Sequence, residues 1–157
     1  VTGRLKQYLE ENRVPYKVLT AAEGAYTAQE TAARLHVSGK ELAKAVIIKA
    51  DGRLVMAVVP ADRRVDFRKV AELVGASRAT LARESEFEGA FPDCEVGAAP
   101  PFGNLYGLET LLDEHFLAQD QVTFLTGSHQ EAVQMSRADY ERLVQPRVAD
   151  FCQPWKS

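Results

Sequence analysis

The dipeptide Asp51-Gly52, set between two apolar runs, constrains this chain more than any other feature. Ala45 to Ala50 precedes it and Arg53 to Pro60 follows it. Asp-Gly tolerates the positive φ angles that a two-residue hairpin turn requires. Both runs are apolar over most of their length, so the hairpin is covered on both faces and belongs in the middle of a sheet.

The elements around it can be read from periodicity and caps. Leu5, Tyr8 and Leu9 repeat at helical spacing, so Gly3 to Asn12 reads as a short amphipathic helix. Pro15 ends it, and Tyr16 to Leu19 can run as a strand. Thr27-Ala28-Gln29-Glu30 is a capping box that opens a helix from Ala28 to about Leu35. Asp66 caps a helix over Phe67 to Val74, Gly75 closes it, and Val70, Leu73 and Val74 form its buried stripe. Arg78 to Ala82 reads as a short strand and Ser85 to Phe91 as a short helix. Pro92, Pro100 and Pro101 bracket a segment that cannot be regular helix. Leu108 to Asp113 reads as a strand leading into a helical turn. Gln121 to Leu125 and Ala132 to Met135 read as two further strands. Ser136 opens a final helix that ends before Pro146. Strands and helices mix without strict βαβ alternation, so the expected class is α+β with a mixed sheet.

At 157 residues the chain, 1–157, is expected to be a single domain with room for a real core. No apolar run reaches membrane-spanning length, and the first residues show no apolar signal region, so the expected location is cytoplasmic. The two cysteines, Cys94 and Cys152, lack CxxC spacing and read as free thiols. The net charge of −3 argues against a general nucleic-acid coat, and no DNA partner is expected. The charge is uneven: Arg34 to Lys69 holds nine basic and four acidic residues, a net of +5, which leaves −8 on the rest. Such a local basic face either holds a few phosphates or is a solvated helix and hairpin surface.

Three separated segments carry the residues suited to chemistry. Lys44 precedes the first apolar strand, flanked by Ala43 and Ala45. A lysine there is either a point charge for a phosphate or carbonyl oxygen, or an edge residue that snorkels to water. The loop Gly97-Ala98-Ala99-Pro100-Pro101-Phe102-Gly103 has no charge. Glycine permits close backbone approach and proline fixes the shape, so its amides can face a developing oxyanion; it also suits an ordinary connection. Thr126-Gly127-Ser128-His129 ends a strand with an imidazole that could bind a hydroxyl or nucleobase, or shuttle a proton. Ser128 has no evident base, and GxSxG is absent. His36, His115 and His129 lack metal-ligand spacing, so no metal and no cofactor are expected.

The order and spacing of these segments resemble the YbaK/EbsC/ProX family of free-standing editing domains, related to the insertion domain of bacterial prolyl-tRNA synthetase. The resemblance spans nearly the whole chain: the leading helix and strand, Thr27-Ala28-Gln29-Glu30, the Lys44 hairpin through Val58-Val59-Pro60, Val70 to Gly75, Gly97 through Pro101 with Phe102-Gly103, and Gly127-Ser128-His129. It implies a mixed, barrel-like sheet flanked by helices. It also implies hydrolysis of the ester between a wrong amino acid and the terminal adenosine of a tRNA. On this resemblance Lys44, Gly97, Pro101 and His129 are the expected catalytic residues. Thr27, Ala45, Ala98, Ala99, Pro100, Phe102, Gly127 and Ser128 are expected to bind substrate.

Two departures bear on specificity. Alanine-clearing members place Asn after the lysine, where this chain has Ala45, and cysteine-clearing members carry Ser where it has Pro100. Ala98 and Ala99 leave room for a small side chain, so Ser, Thr or Ala on tRNA(Pro) are the expected substrates, with Ser and Thr ahead. The expected partner is the tRNA acceptor end, aided by prolyl-tRNA synthetase or an elongation factor. The competing expectation is a non-catalytic module that holds an acceptor end, a nucleotide or a protein on the same fold.

Overall fold

The computed structural model describes residues 1–20 and 28–155. Thr27 and its capping box lie outside the described residues. Among the described residues four α-helices, α1 (Gly3–Glu11), α2 (Ala28–Leu35), α3 (Phe67–Val74) and α4 (Arg137–Val144), flank the strands. The strands are β1 (Tyr16–Thr20), β2 (Leu42–Ala50), β3 (Arg53–Pro60), β4 (Arg63–Val65), β5 (Ala79–Leu81), β6 (Glu109–Asp113), β7 (Gln121–Leu125), β8 (Glu131–Ser136), β9 (Arg147–Ala149) and β10 (Cys152–Pro154). The main sheet runs β1-β8-β7-β2-β3-β6-β9, with β5 also on β2; β4 and β10 form a separate ribbon. Pairings of both senses occur: β7 is parallel to β2 and β6 to β3, while β2–β3 and β7–β8 are antiparallel. The class is α+β, a mixed sheet flanked by helices.

The hairpin is central, as its composition requires. Val55 to Pro60 are buried. Met56 and Val58 enter one core with Phe102, Phe124 and Tyr140, and Val55, Ala57 and Val59 enter another with Val65, Val70 and Phe151. A strand with apolar layers on both faces has no polar side to display. Its turn differs in one respect from the expectation. Only Asp51 adopts a positive φ, 57°. Its carboxylate accepts the Ser77 and Arg78 amides at 2.9 and 3.0 Å, which ties the turn to the start of β5.

The helices α1, α3 and α4 and the strands β1, β7 and β8 stand where the pattern puts them. Asp66 accepts the Arg68 and Lys69 amides at the start of α3, and Ser136 accepts the Asp139 amide at the start of α4. Two expectations need correction. The segment from Ser85 to Phe91 is not a helix beyond one 3-10 turn, Glu84–Glu86. The Glu86 carboxylate is drawn to the Arg83 amide at 2.9 Å and to Lys49 at 2.7 Å, and Gly89 turns at φ 82°. Also, β2 starts at Leu42, so Lys44 is inside the strand rather than ahead of it. Parallel pairing of Leu42 and Ala43 with Thr123 and Phe124 extends the strand backwards.

That pairing shapes the site. Strand β2 shares one edge with β7 at Leu42 and Ala43, and with β5 from Ile48 to Ala50. Between them, Lys44 to Val46 has no strand along that edge among the described residues. Lys44 therefore leaves the β2–β7 pair beside the chain that runs on through Leu125 and Thr126 to Gly127.

Candidate active site

The two glycine-bearing loops are latched to each other. The Gly127 amide donates to the Ala98 carbonyl, and the Glu95 amide donates to the Gly127 carbonyl, both at 2.7 Å. Gly97 and Gly127 take φ values of 80° and 108°, conformations that L side chains rarely adopt. His129 braces the same latch. Its Nε2 lies 2.7 Å from the Val96 carbonyl, so that nitrogen carries the proton and donates. Its backbone amide donates to the Glu95 carboxylate at 3.1 Å. Ser128 accepts the Gln130 amide and so closes its own turn.

The other end of the loop is anchored in the core. Pro100 and Pro101 are buried, and Phe102 is fully buried against Phe124 and Tyr140. The buried Tyr140 hydroxyl donates to the Pro101 carbonyl. Phe102 is thus the loop's anchor, and Ala98, also fully buried, meets Gly127 rather than open space.

Beside this loop lies a crevice of about 430 Å³, set against the open stretch of β2. Ala45, Val46 and Ile47 line it from the strand, Phe87 and Phe91 form an aromatic wall, and Gly97 and Ala99 line it from the loop. Glu84, Glu88 and Glu95 add negative charge to it. The Ala98 amide donates to the Glu95 carbonyl and the Phe102 amide to the Pro100 carbonyl, while the prolines have no N–H. Among the described residues, the amides of Gly97 and Ala99 have no acceptor. Two donors left without an acceptor beside this crevice can polarise a carbonyl oxygen. Cys94 also lines the crevice, but burial pushes its thiol up to about 11, so it is protonated at neutral pH and a poor nucleophile.

Lys44 stands on the other face of β2. It pairs with Val59, which belongs to the second core, and it is not among the residues that line this crevice. Its ammonium lies 4.4 Å from the centre of the Trp155 ring. Among the described residues no carboxylate lies within ion-pairing distance of it. Burial, uncompensated, lowers its pKa below the ordinary lysine value. A half-buried cation without a counter-charge costs the fold stability, which suits a group kept for an anionic ligand.

Sequence reasoning missed Tyr140, Glu95 and Trp155. Tyr140 lies on the buried stripe of α4 with Leu143 and Val144, which marks it as core but not as the loop's clamp. It also missed a cluster of Asp113, His115 and Cys152, whose possible ligand atoms lie within 4.8 Å of one another. Those atoms already serve the fold. Asp113 accepts the amides of His115 and Phe151 at 2.9 and 3.1 Å and meets His115 Nδ1 at 2.6 Å, while burial pushes the Cys152 thiol up to about 12. Both cysteines are free. Among the described residues, no helix is long and apolar enough to cross a membrane.

Comparison with known proteins places these features in a wider group. Residues 22–143 match the model of the aminoacyl-tRNA editing domain. The multifunctional Ser/Thr-tRNA deacylase ProXp-y of Escherichia coli (strain K12) is 32% identical over 114 residues, covering 69% of this chain and 68% of that protein. A proline–tRNA ligase of Bacillus mycoides (strain KBAB4) is 30% identical over 114 residues, which is 73% of this chain but 20% of the ligase. A solved structure described as a candidate trans-editing enzyme for prolyl tRNA synthetase superposes with a TM-score of 0.82 at 22% identity, covering 96% of this chain and 95% of its own. At that identity the likeness is one of fold.

Proposed function

From the premise that this chain belongs to the aminoacyl-tRNA editing domain family, we propose that it is a trans-editing deacylase working as one domain. It hydrolyses the ester of a mischarged tRNA, and tRNA(Pro) carrying serine or threonine is the leading substrate. The observation that carries the reading is the pair of unspent amides, Gly97 and Ala99, fixed beside a crevice whose thiol is held protonated.

An aminoacyl ester is reactive enough that positioning and oxyanion stabilisation suffice. Water adds to the carbonyl carbon while those two amides hold the oxygen that gains charge. The bond from carbon to the ribose oxygen then breaks, and the proton from water passes to that oxygen with help from the vicinal hydroxyl. Free amino acid and intact tRNA result. Lys44 answers the charge of the terminal phosphate. Pro100, Pro101, Phe102, Tyr140 and His129 act by holding the loop; the hydrogen bond from His129 to Val96 supports bracing over proton transfer. Gly127 and Ser128 shape the facing turn. Ala45 and Ala99 offer no bulk against a small acyl side chain.

The similarity to a Ser/Thr-tRNA deacylase and to proline–tRNA ligases supports serine and threonine over alanine, and supports prolyl-tRNA synthetase as the partner that presents the tRNA. A matrix of amino acid against tRNA tests this. Release of serine or threonine from tRNA(Pro), with proline left on, is the expected result. Stable binding of every charged tRNA without turnover would overturn it in favour of a binding module.

A further inference from the structure

We propose that Trp155 is a base-stacking platform: its open ring face takes a nucleobase of the single-stranded tRNA acceptor end, while Lys44 on the ring's other face meets the phosphate charge. The proposal rests on the deacylase reading above and adds a ligand-binding residue outside the matched segment 22–143.

Trp155 follows β10, which pairs with β4 so that Pro154 lies opposite Arg63 and Gln153 opposite Arg64. One edge of the indole is fixed, since Nε1 donates to the Ala61 carbonyl at 3.1 Å. About half of the residue, 47%, stays exposed to solvent. A tryptophan kept for core packing would be covered. This one is held by one hydrogen bond and laid over an ammonium.

The cations around it point to the ligand. Lys44 is half-desolvated beneath the ring, with no described carboxylate to offset that cost. Arg64 is exposed on β4 and forms no ion pair with a described residue, and Arg63 precedes it. An aromatic face among unpaired cations is the pattern that binds single-stranded nucleic acid, the ring taking a base and the cations following the backbone. A rigid ring fixed at one edge also loses little freedom on stacking.

The chain has one tryptophan, so fluorescence excited selectively at tryptophan, beyond the absorption of the tyrosines, reads this ring alone. Titration of the intact protein with the trinucleotide 5′-CCA-3′ quenches it saturably, and inorganic phosphate at the same concentration does not. In deacylation assays Trp155→Ala raises KM for the charged tRNA about fivefold or more with little change in kcat, the size of one lost stack. Trp155→Phe, which retains a stacking ring, keeps KM near wild type, and thermal unfolding shows that both variants are folded. Absence of quenching by the trinucleotide, the same signal from phosphate, or a wild-type KM in Trp155→Ala overturns the proposal. Quenching by the trinucleotide in a protein that hydrolyses no aminoacyl-tRNA instead sinks the deacylase reading and leaves the stacking site standing.

Discussion

Gly127→Ala should do more damage than Gly97→Ala, although both replace a glycine of the same latch. A Cβ at position 127 would lie 2.4 Å from Thr2 Cγ2 and 3.2 Å from the Asp93 carbonyl oxygen. Thr2 cannot yield freely, because its hydroxyl caps α1 and its amide donates to the Thr126 carbonyl. The φ of 108° adds about 1–3 kcal/mol of strain. Crowding adds about 1–3 kcal/mol more. The sum, about 2–6 kcal/mol, lowers Tm by roughly 4–24 °C in a chain of this size. At position 97 the new Cβ meets His129 Cε1 at 3.6 Å, an ordinary contact. Only the backbone strain of about 1–2 kcal/mol remains there. Thermal unfolding by circular dichroism measures both, and deacylation by the surviving folded protein shows whether the latch also sets the loop. A Gly127→Ala protein within 1 °C of wild type, or a greater loss in Gly97→Ala, would refute the reasoning.

Other expectations rest on single contacts. Tyr140→Phe leaves the Pro101 carbonyl buried without its donor, so stability falls by about 1–3 kcal/mol in urea unfolding and kcat falls with it. Asp113→Asn loses charge-assisted bonds to two amides and costs about 1–3 kcal/mol at pH 7. Burial raises the Asp113 pKa, but those amides outweigh it and the net shift is downward. Its stabilisation is therefore present above the ordinary aspartate value of 3.8 and lost as pH falls through the lower folded value, so the gap between variant and wild type closes in acid. For Lys44 the sign is opposite. Burial lowers its pKa, the unfolded chain binds a proton that the folded one has released, and stability rises with pH between the folded value and the ordinary one. Lys44→Met removes that slope, and in the wild type deacylation declines over the same interval as the ammonium is lost.

The sequence made the long elements legible because each carries its own signal. Helical spacing marks α1, Asp66 and Gly75 mark α3, and the apolar runs about Asp51-Gly52 mark β2 and β3. The three-residue strands β4, β9 and β10 carry none. They exist because β10 finds β4 and β9 finds β6, pairings made only in three dimensions. The site shows the same division. Gly97, Gly127 and His129 could be picked out by residue type, and they do meet. Spacing could not reveal that Phe102 and Ala98 face inward, nor that Lys44 sits inside a strand, because both depend on which neighbour each strand pairs with. Trp155 was invisible for that reason: eleven residues past the end of α4, it reaches Lys44 only through the β4–β10 ribbon.

Single-turnover deacylation of Ser-tRNA(Pro) and Thr-tRNA(Pro) by Lys44→Ala, beside wild type, bears most directly on the account. The predicted result is loss of hydrolysis in a protein whose Tm stays within a few degrees of wild type, since a half-buried unpaired cation does little for the fold. Hydrolysis at the wild-type rate in that folded variant would contradict it.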